Sequence, residues 1–179
     1  MKIDWKNIDI KDLAGLISDT LRKDGIDAVL VGGACVSIYS RNRYMSYDLD
    51  YITYEDRDKV REALKKIGFF EKNQCFYHQF CRFFIEFVAP PVAVGKQSVQ
   101  EFEELPTLFG QIKLLRPVDS VKDRLASFYH WSDKEGLVQA LQICHEKSID
   151  LKEVQEWSRR EGFIEKFDQF LTAYKLQER

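Results

Sequence analysis

The 179-residue sequence lacks a long apolar run, a large excess of charge of one sign and closely paired cysteines. No apolar stretch approaches the roughly 20 residues that a membrane-spanning helix needs, so we expect no membrane association. The net charge of −2 provides no overall field that would attract nucleic acid, which disfavours a general RNA-binding domain. The first residues carry no apolar signal core, so we expect a cytoplasmic protein whose four cysteines are reduced.

The few cysteines and histidines offer a single candidate zinc site. Cys75, His78 and Cys81 are spaced three residues apart, and Cys144-His145 follows far downstream. Zinc binds such ligands in tetrahedral sites, but the Cys-x-x-Cys pairs of zinc knuckles are absent from the sequence. Because cysteine is also a common small core residue, the pattern favours neither a zinc site nor a Cys–His nucleophile.

The hydrophobic pattern predicts an α+β protein. Hydrophobic residues make up 45% of the chain and charged residues 31%, as in ordinary globular proteins, and the length suits one well-buried domain with a helical appendage. Strand-like runs give way to helical spacing near residue 116. We therefore predict a mixed-sheet core over residues 1–116 and a helical C-terminal region over 117–179 that packs on it.

Spacing and turn residues predict the individual elements. Helical spacing covers 10–23, 34–39, 55–67, 117–131, 134–147, 151–160 and 163–176, and strand-like runs cover 28–31, 47–52 and 111–115. The aromatic-rich stretch 69–88 is predicted to form a hairpin that turns near Asn73-Gln74 or near Phe80-Cys81. Residues 93–107 are predicted to be a polar loop, either a lid or a surface excursion. Ser132 and Asp150 are predicted helix caps.

The stretch from Asp27 to Thr53 carries the pattern on which a functional interpretation depends. A short apolar strand, 28–31, ends at Gly32-Gly33, where glycine permits a sharp turn and a close approach to the main chain. The N–H groups at the start of the following helix would then form a site for an anion.

A second strand carries Asp48 and Asp50, which leave the same face because they are two residues apart. Two such carboxylates repel each other unless a cation lies between them, and hard oxygen ligands suit Mg²⁺ or Mn²⁺. The alternative is a solvated strand face, although Asp is disfavoured in strands. The second Asp-x-Asp of the chain, Asp56-Arg57-Asp58, is predicted to begin a helix instead.

This order of strand, Gly-Gly, helix and acidic strand resembles the polymerase-β-like nucleotidyltransferase superfamily. The matching residues are Val31-Gly32-Gly33, a gap over 34–47, and Asp48-Leu49-Asp50. The run 43–50 resembles a small bacterial subgroup related to abortive-infection and toxin–antitoxin proteins, in which an Arg and a Ser or Thr precede the acidic pair. The resemblance implies a nucleotidyltransferase core, an NTP substrate and two divalent metal ions.

The resemblance also implies roles for nine residues. The catalytic carboxylates and metal ligands would be Asp48, Asp50 and Glu86, the last from a strand next to the acidic pair, where most relatives carry Asp. The nucleotide-binding residues would be Gly32, Gly33, Ser37, Arg43, Ser46 and Lys122. Ser37 or Ser46 would supply the hydroxyl that many relatives carry at the second glycine position.

Each of these assignments has a structural alternative. Glu86 is equally consistent with an edge-strand residue that faces water. Arg43 and its neighbour Arg41 would either bind phosphate or pair with the acidic residues of the strand. Lys122 and Arg124 would either contact the nucleotide or form surface pairs with acidic neighbours on the same helix, a role that suits Arg124 better than Lys122.

The leading hypothesis is an enzyme that transfers a nucleoside monophosphate from an NTP to an unknown acceptor hydroxyl on RNA, protein or a small molecule, with Mg²⁺ or Mn²⁺ as cofactor. The alternative is the same fold with weak or no catalysis, which would act through a protein partner as in toxin–antitoxin pairs.

Overall fold

The computed structural model describes residues 3–177. Met1 and Lys2, which belong to the stretch inspected for a signal core, and Glu178 and Arg179, at the end of the predicted helical region, lie outside the described residues. Within the described range, no helix combines the length and the apolar character needed to cross a membrane.

The described residues form seven helices and nine strands. The helices are α1 Ile10–Lys23, α2 Gly32–Tyr39, α3 Arg57–Lys65, α4 Pro117–Trp131, α5 Lys134–Glu146, α6 Leu151–Glu161 and α7 Ile164–Gln177. The strands are β1 Ala28–Val31, β2 Asp48–Thr53, β3 Phe69–Lys72, β4 Cys75–His78, β5 Phe84–Val88, β6 Ala93–Val94, β7 Gln97–Ser98, β8 Phe102–Pro106 and β9 Gln111–Leu115. The predicted bounds of α1, β1, β9 and α4 are confirmed.

Seven of these strands form one mixed sheet in the order β3-β4-β5-β2-β1-β9-β8. Strand β1 runs antiparallel to β2 and parallel to β9, while β2 runs parallel to β5. The pairing of β1 with β2 places Val31 opposite Asp50. The predicted α+β class with a mixed sheet is confirmed.

Aspartate caps explain where several helices begin. Asp9 accepts a hydrogen bond from the Lys11 N–H, and Asp150 accepts from the N–H groups of its second and third helical neighbours. The prediction that Ser132 caps α5 is wrong. Ser132 adopts a left-handed conformation, φ +53°, just after α4, and the Asp133 carboxylate caps α5 instead.

Two segments contain more strand than the sequence predicts. Stretch 69–88 forms three strands, with one turn at the predicted Asn73-Gln74, where both residues have positive φ, and a second turn over 79–83. The predicted loop 93–107 contains β6, β7 and β8. Strand β8 lies at the sheet edge, where charged residues such as Glu103 and Glu104 are tolerated because one side of the strand faces water.

The hydrophobic core joins the sheet to helices from both halves of the chain. On one face, the Tyr51 hydroxyl donates to the Ala14 carbonyl of α1 at 3.0 Å. The C-terminal helices are tied to the rest by polar contacts: the Trp157 indole donates to the Val94 carbonyl at 3.3 Å, and the Lys96 N–H donates to the Glu161 carboxylate at 2.9 Å. These contacts fix β6 and β7 against α6.

Candidate active site

Adjacent strands bring three carboxylates to one face of the sheet. Asp50 on β2 is the register partner of Glu86 on β5, and paired residues project to the same side. Asp48 lies two residues before Asp50 and therefore shares that face. The structure thus brings together Asp48, Asp50 and Glu86 as a row of acidic side chains across β2 and β5.

The residues that flank Glu86 point to the opposite face, as expected from the strand period. Ile85 is fully buried, and the Phe87 ring packs 5.9 Å from Tyr51 and 5.8 Å from Phe76 between ring centroids. Glu86 itself is exposed on the face that carries Asp50. Its exposure is therefore compatible with a position at the open side of the acidic row.

Asp50 has the most perturbed environment of the acidic row. Burial, followed by repulsion from Asp48 and Glu86, raises the pKa of its carboxyl from 3.8 to about 7, and the positive charge of Arg124 opposes this rise. Gly32, at the turn from β1 into α2, has φ +68°, and any side chain there would collide with the Asp50 carboxylate. The Gly-Gly turn and the acidic strand therefore approach each other closely at this point.

Two buried serines hold the Gly-Gly turn and the acidic strand together. The Ser46 hydroxyl donates to the Asp48 carboxylate, and the Ser46 N–H donates to the Ser37 hydroxyl at 2.8 Å. Ser37 in turn donates to the Gly33 carbonyl at 3.3 Å, and a Cβ at Gly33 would lie 2.9 Å from the Ser46 hydroxyl. Because both hydroxyls are buried and engaged, the structure places these serines as supports of Asp48 rather than as free phosphate ligands.

Arg41 and Arg43, which lie between α2 and β2, pair with Glu146 and not with the acidic residues of β2. Arg43 lies 2.8 Å and Arg41 lies 3.2 Å from carboxylate oxygens of Glu146 in α5. The alternative in which they pair with the acidic residues of β2 is therefore wrong. The Arg43 side chain is still half exposed, because the pair lies at the protein surface.

Lys122 and Arg124 both lie in α4 but differ in burial and in partners. Lys122 is fully buried, with its ammonium 2.7 Å from Glu153 and 3.4 Å from Asp119. The expected role of Lys122 in nucleotide binding would require its ammonium to leave both of these partners. Arg124 pairs with Asp123, as the sequence alternative predicted, and also donates to Gln139 at 3.3 Å.

Arg124 is the residue of this site that sequence reasoning undervalued. Its positive charge opposes the rise in the pKa of Asp50. A signal was present in the sequence: residues two apart in a helix point about 200° apart, so Lys122 and Arg124 do not face the same site. The sequence did not show which of the two faces the carboxylates, because that depends on how α4 packs against the sheet.

The donor set fits a magnesium or manganese ion that takes further ligands from substrate and water. Among residues 3–177, no group of three or more His, Cys, Asp or Glu side chains is gathered closely enough to hold a metal ion by itself. Mg²⁺ commonly binds through one or two carboxylates plus substrate phosphates, a role that Asp48 and Asp50 fit. Burial and the neighbouring carboxylates raise the pKa of Asp50, so a bound cation would favour its ionised form.

The cysteine–histidine pattern lies in a different environment. His78 stacks on Trp5 with ring centroids 3.9 Å apart, and burial lowers the pKa of His78. Cys75 lies on β4 beside Glu86, and Cys81 lies in the turn that precedes β5. In the part of the chain that the structure describes, these residues do not form a group able to bind a metal.

Comparisons with known proteins identify the fold. No protein-family model and no curated protein matches the sequence. An antigenic nucleotidyltransferase-like protein from Paracoccidioides brasiliensis aligns over 74% of this chain and 75% of its own, with 15% identity and a TM-score of 0.53. ANT(2″)-Ia, solved in complex with adenylyl-2″-tobramycin, aligns over 89% of this chain and 95% of its own, with 11% identity and a TM-score of 0.51. These similarities show that the chain has a nucleotidyltransferase fold.

Proposed function

We propose that this protein is a metal-dependent nucleotidyltransferase that transfers a nucleoside monophosphate from an NTP to an acceptor hydroxyl. The observation that carries the proposal is the position of Asp48, Asp50 and Glu86 on one face beside the Gly32 turn, in a chain with this fold. One of the similar structures contains an adenylylated product, adenylyl-2″-tobramycin, which supports nucleotidyl transfer as the reaction class.

The nucleotide phosphates would bind where β1 turns into α2. The N–H groups of Gly32 and Gly33 begin the helix, and a helix N-terminus favours negative charge. Arg124 would supply the cation that the sequence assigned to Lys122, because its positive charge acts on the Asp50 carboxyl. Arg43 would contribute only by leaving its pair with Glu146.

The reaction follows from these positions. The acceptor oxygen forms a bond to the α-phosphorus, the bond from this phosphorus to the bridging oxygen breaks, and pyrophosphate leaves. Glu86, at the open side of the acidic row, takes the hydroxyl proton and releases it to water. Asp48 and Asp50 would hold a divalent cation, which would neutralise charge on the phosphates, and Glu86 would reach it only as the substrate completes the site.

A second candidate function is a binding module with the same fold and little catalysis. Two observations favour it: the three carboxylates do not form a closed metal-binding group within residues 3–177, and the hydroxyls of Ser37 and Ser46 are already engaged. Such a module would act through a protein partner, as in toxin–antitoxin pairs.

Substitution of Glu86 separates these two functions. Glu86→Gln should leave folding intact and only weaken nucleotide binding, because Asp48 and Asp50 still hold one cation, but it should remove transfer activity. Binding is measured by calorimetric titration of each NTP with Mg²⁺ or Mn²⁺, and transfer is measured with α-labelled NTPs and a panel of acceptors. A wild-type protein that binds no NTP with either metal would contradict the enzyme proposal.

A further inference from the structure

A row of aromatic side chains extends the acidic face of the sheet toward its β3 edge. In register, Asp48 on β2 pairs with Phe84 on β5, Phe84 pairs with Tyr77 on β4, and Tyr77 pairs with Phe70 on β3. Directly opposed residues share a face, so these four side chains lie in line across four strands. Ring centroids are 5.6 Å apart for Tyr77 and Phe84, and 6.4 Å apart for Phe70 and Tyr77. We call Phe70, Tyr77 and Phe84 the aromatic row.

The aromatic row is not part of the hydrophobic core. The residues that alternate with it, Phe69 and Phe76, are buried on the opposite face, where Glu71 pairs with two arginines of α3. Phe70, by contrast, is 51% exposed. Aromatic rings on an open sheet face that adjoins an acidic site are better explained by binding than by folding, because the core already has its own aromatic face.

One cation flanks the aromatic row without a charged partner. Lys72 lies at the sheet edge on the same face, in line with Cys75, Glu86 and Asp50 in the neighbouring row. Its side chain is exposed and forms no ion pair with a residue of the described range, so it is available to an anionic ligand. Arg82 precedes β5, but its guanidinium lies over the buried Phe83 ring, 4.8 Å from the ring centroid, and not over the aromatic row.

We propose that the aromatic row binds the acceptor of the reaction and that this acceptor carries an unpaired nucleobase. The inference rests on the proposed function, since the row matters for transfer only if Asp48 belongs to the active site. Aromatic side chains on an open sheet stack nucleobases, and a nearby cation such as Lys72 binds a phosphate that accompanies them. Neighbouring strands lie about 4.8 Å apart, so a base stacked on Phe84 places its sugar hydroxyl beside Asp48.

The test uses a 5′-labelled, ten-nucleotide single-stranded RNA and fluorescence anisotropy, without NTP or metal. Tyr77→Ala should weaken RNA binding at least about fivefold, because it removes one stacking ring, whereas Tyr77→Trp should retain it. The matched control is Trp131→Ala, since Trp131 is 82% exposed, lies at the end of α4 and does not belong to the aromatic row. If Tyr77→Ala fails to fold by circular dichroism, Phe70→Ala takes its place, with the same expected loss.

Competition identifies the source of the base. Displacement of the RNA by free adenosine supports an acceptor that is a nucleoside or nucleotide, and displacement by unlabelled RNA alone supports the end of an RNA strand. Equal RNA affinity of the wild type, Tyr77→Ala and Phe70→Ala overturns the proposal, as does a change in self-association on Tyr77→Ala without any change in RNA affinity. A separate titration of the wild type with NTP and metal, without RNA, tests the proposed function, so failure of one proposal can be told from failure of the other.

Discussion

The chain contains two Asp-x-Asp motifs only eight residues apart, and they have opposite structural roles. Asp48 and Asp50 lie on strand β2, on one face of the sheet. Asp56 caps helix α3 by accepting the Asp58 N–H, and Asp58 pairs with an arginine one helical turn further on. The first motif brings like charges together, whereas the second satisfies unpaired N–H groups and a helix dipole.

The difference shows that backbone conformation, rather than composition, decides what a pair of carboxylates does. A strand repeats every two residues, so both side chains of the first motif face the same way, and burial beside Asp48 and Glu86 raises the pKa of Asp50 to about 7. At the start of a helix, carboxylates two residues apart turn away from each other and find local donors. Only the first arrangement leaves unneutralised charge for a ligand.

The sharpest test neutralises each motif in turn. The double variant Asp48→Asn, Asp50→Asn should abolish Mg²⁺-dependent NTP binding, which means a loss of affinity of at least about a hundredfold. Its melting temperature should stay equal or rise, because the mutual repulsion of the two carboxylates is removed. Asp56→Asn with Asp58→Asn should leave NTP binding unchanged and alter stability by no more than about 1 kcal/mol, since Asn also caps helices well. Calorimetric titration and thermal unfolding measure the two effects.

A large fall in melting temperature of the first double variant, measured without metal, would mark Asp48 and Asp50 as structural residues. Loss of NTP binding in the second double variant would place the ligand at α3 and contradict the assignment of the site.

Substitutions of two glycines, Gly32 in the Gly-Gly turn and Gly25 elsewhere, test the contact between this turn and Asp50. Gly32→Ala should lower NTP binding at least about tenfold and destabilise the fold, because φ +68° strains a Cβ by about 1–2 kcal/mol and the new atom also displaces the Asp50 carboxylate. Gly25 also has a positive φ, +71°, but it has open space around it, so the control Gly25→Ala should cause the backbone strain without a collision. Equal losses of stability and unchanged NTP binding in both variants would show that the contact with Asp50 is unimportant.

The two basic residues of α4 test which cation serves the first motif. Arg124→Gln should weaken NTP binding about tenfold with a small change in stability, because a partly buried charge near the phosphates is lost. Lys122→Met should leave NTP binding intact but cost about 3 kcal/mol of unfolding free energy, since it leaves Asp119 and Glu153 without one of their partners. Urea unfolding and calorimetry separate these outcomes, and the reverse pattern would restore Lys122 as the ligand.

The last expected effect is a pH dependence of stability to which Asp50 contributes. Its folded-state pKa of about 7 lies above the ordinary value of 3.8, so the folded state holds the proton more tightly than the unfolded chain. Stability should therefore fall as pH rises from about 4 to about 7, and level off above that range. Asp50→Asn should remove this part of the pH dependence, and Mg²⁺ should stabilise the wild type more at pH 8 than at pH 5.

Thermal unfolding of the wild type and Asp50→Asn between pH 4 and pH 8 checks this expectation. Parallel curves for the two proteins would show that the Asp50 carboxyl titrates normally in the folded state.

Much of the fold could be predicted because local patterns are strong in this sequence. Amphipathic spacing and a terminal glycine identified α1, and Pro117 at the first helical position identified α4. Segment 93–107 was missed because its strands are short and polar. Strand β8 forms because it pairs with the edge of β9. The local hydrophobic period does not predict such pairing between strands.

The sequence by itself determined the Gly-Gly turn, the acidic strand and the alternation that puts Asp48 and Asp50 on one face. These features depend on φ/ψ preferences and on a strand period of two, both of which act within a few residues. Only the tertiary structure decided that Glu86 lies in register with Asp50, that Lys122 is buried while Arg124 stays partly exposed, and that an aromatic row continues the acidic face. Those outcomes depend on how strands distant in sequence pair and how α4 packs on the sheet, and the sequence period does not encode register between distant strands.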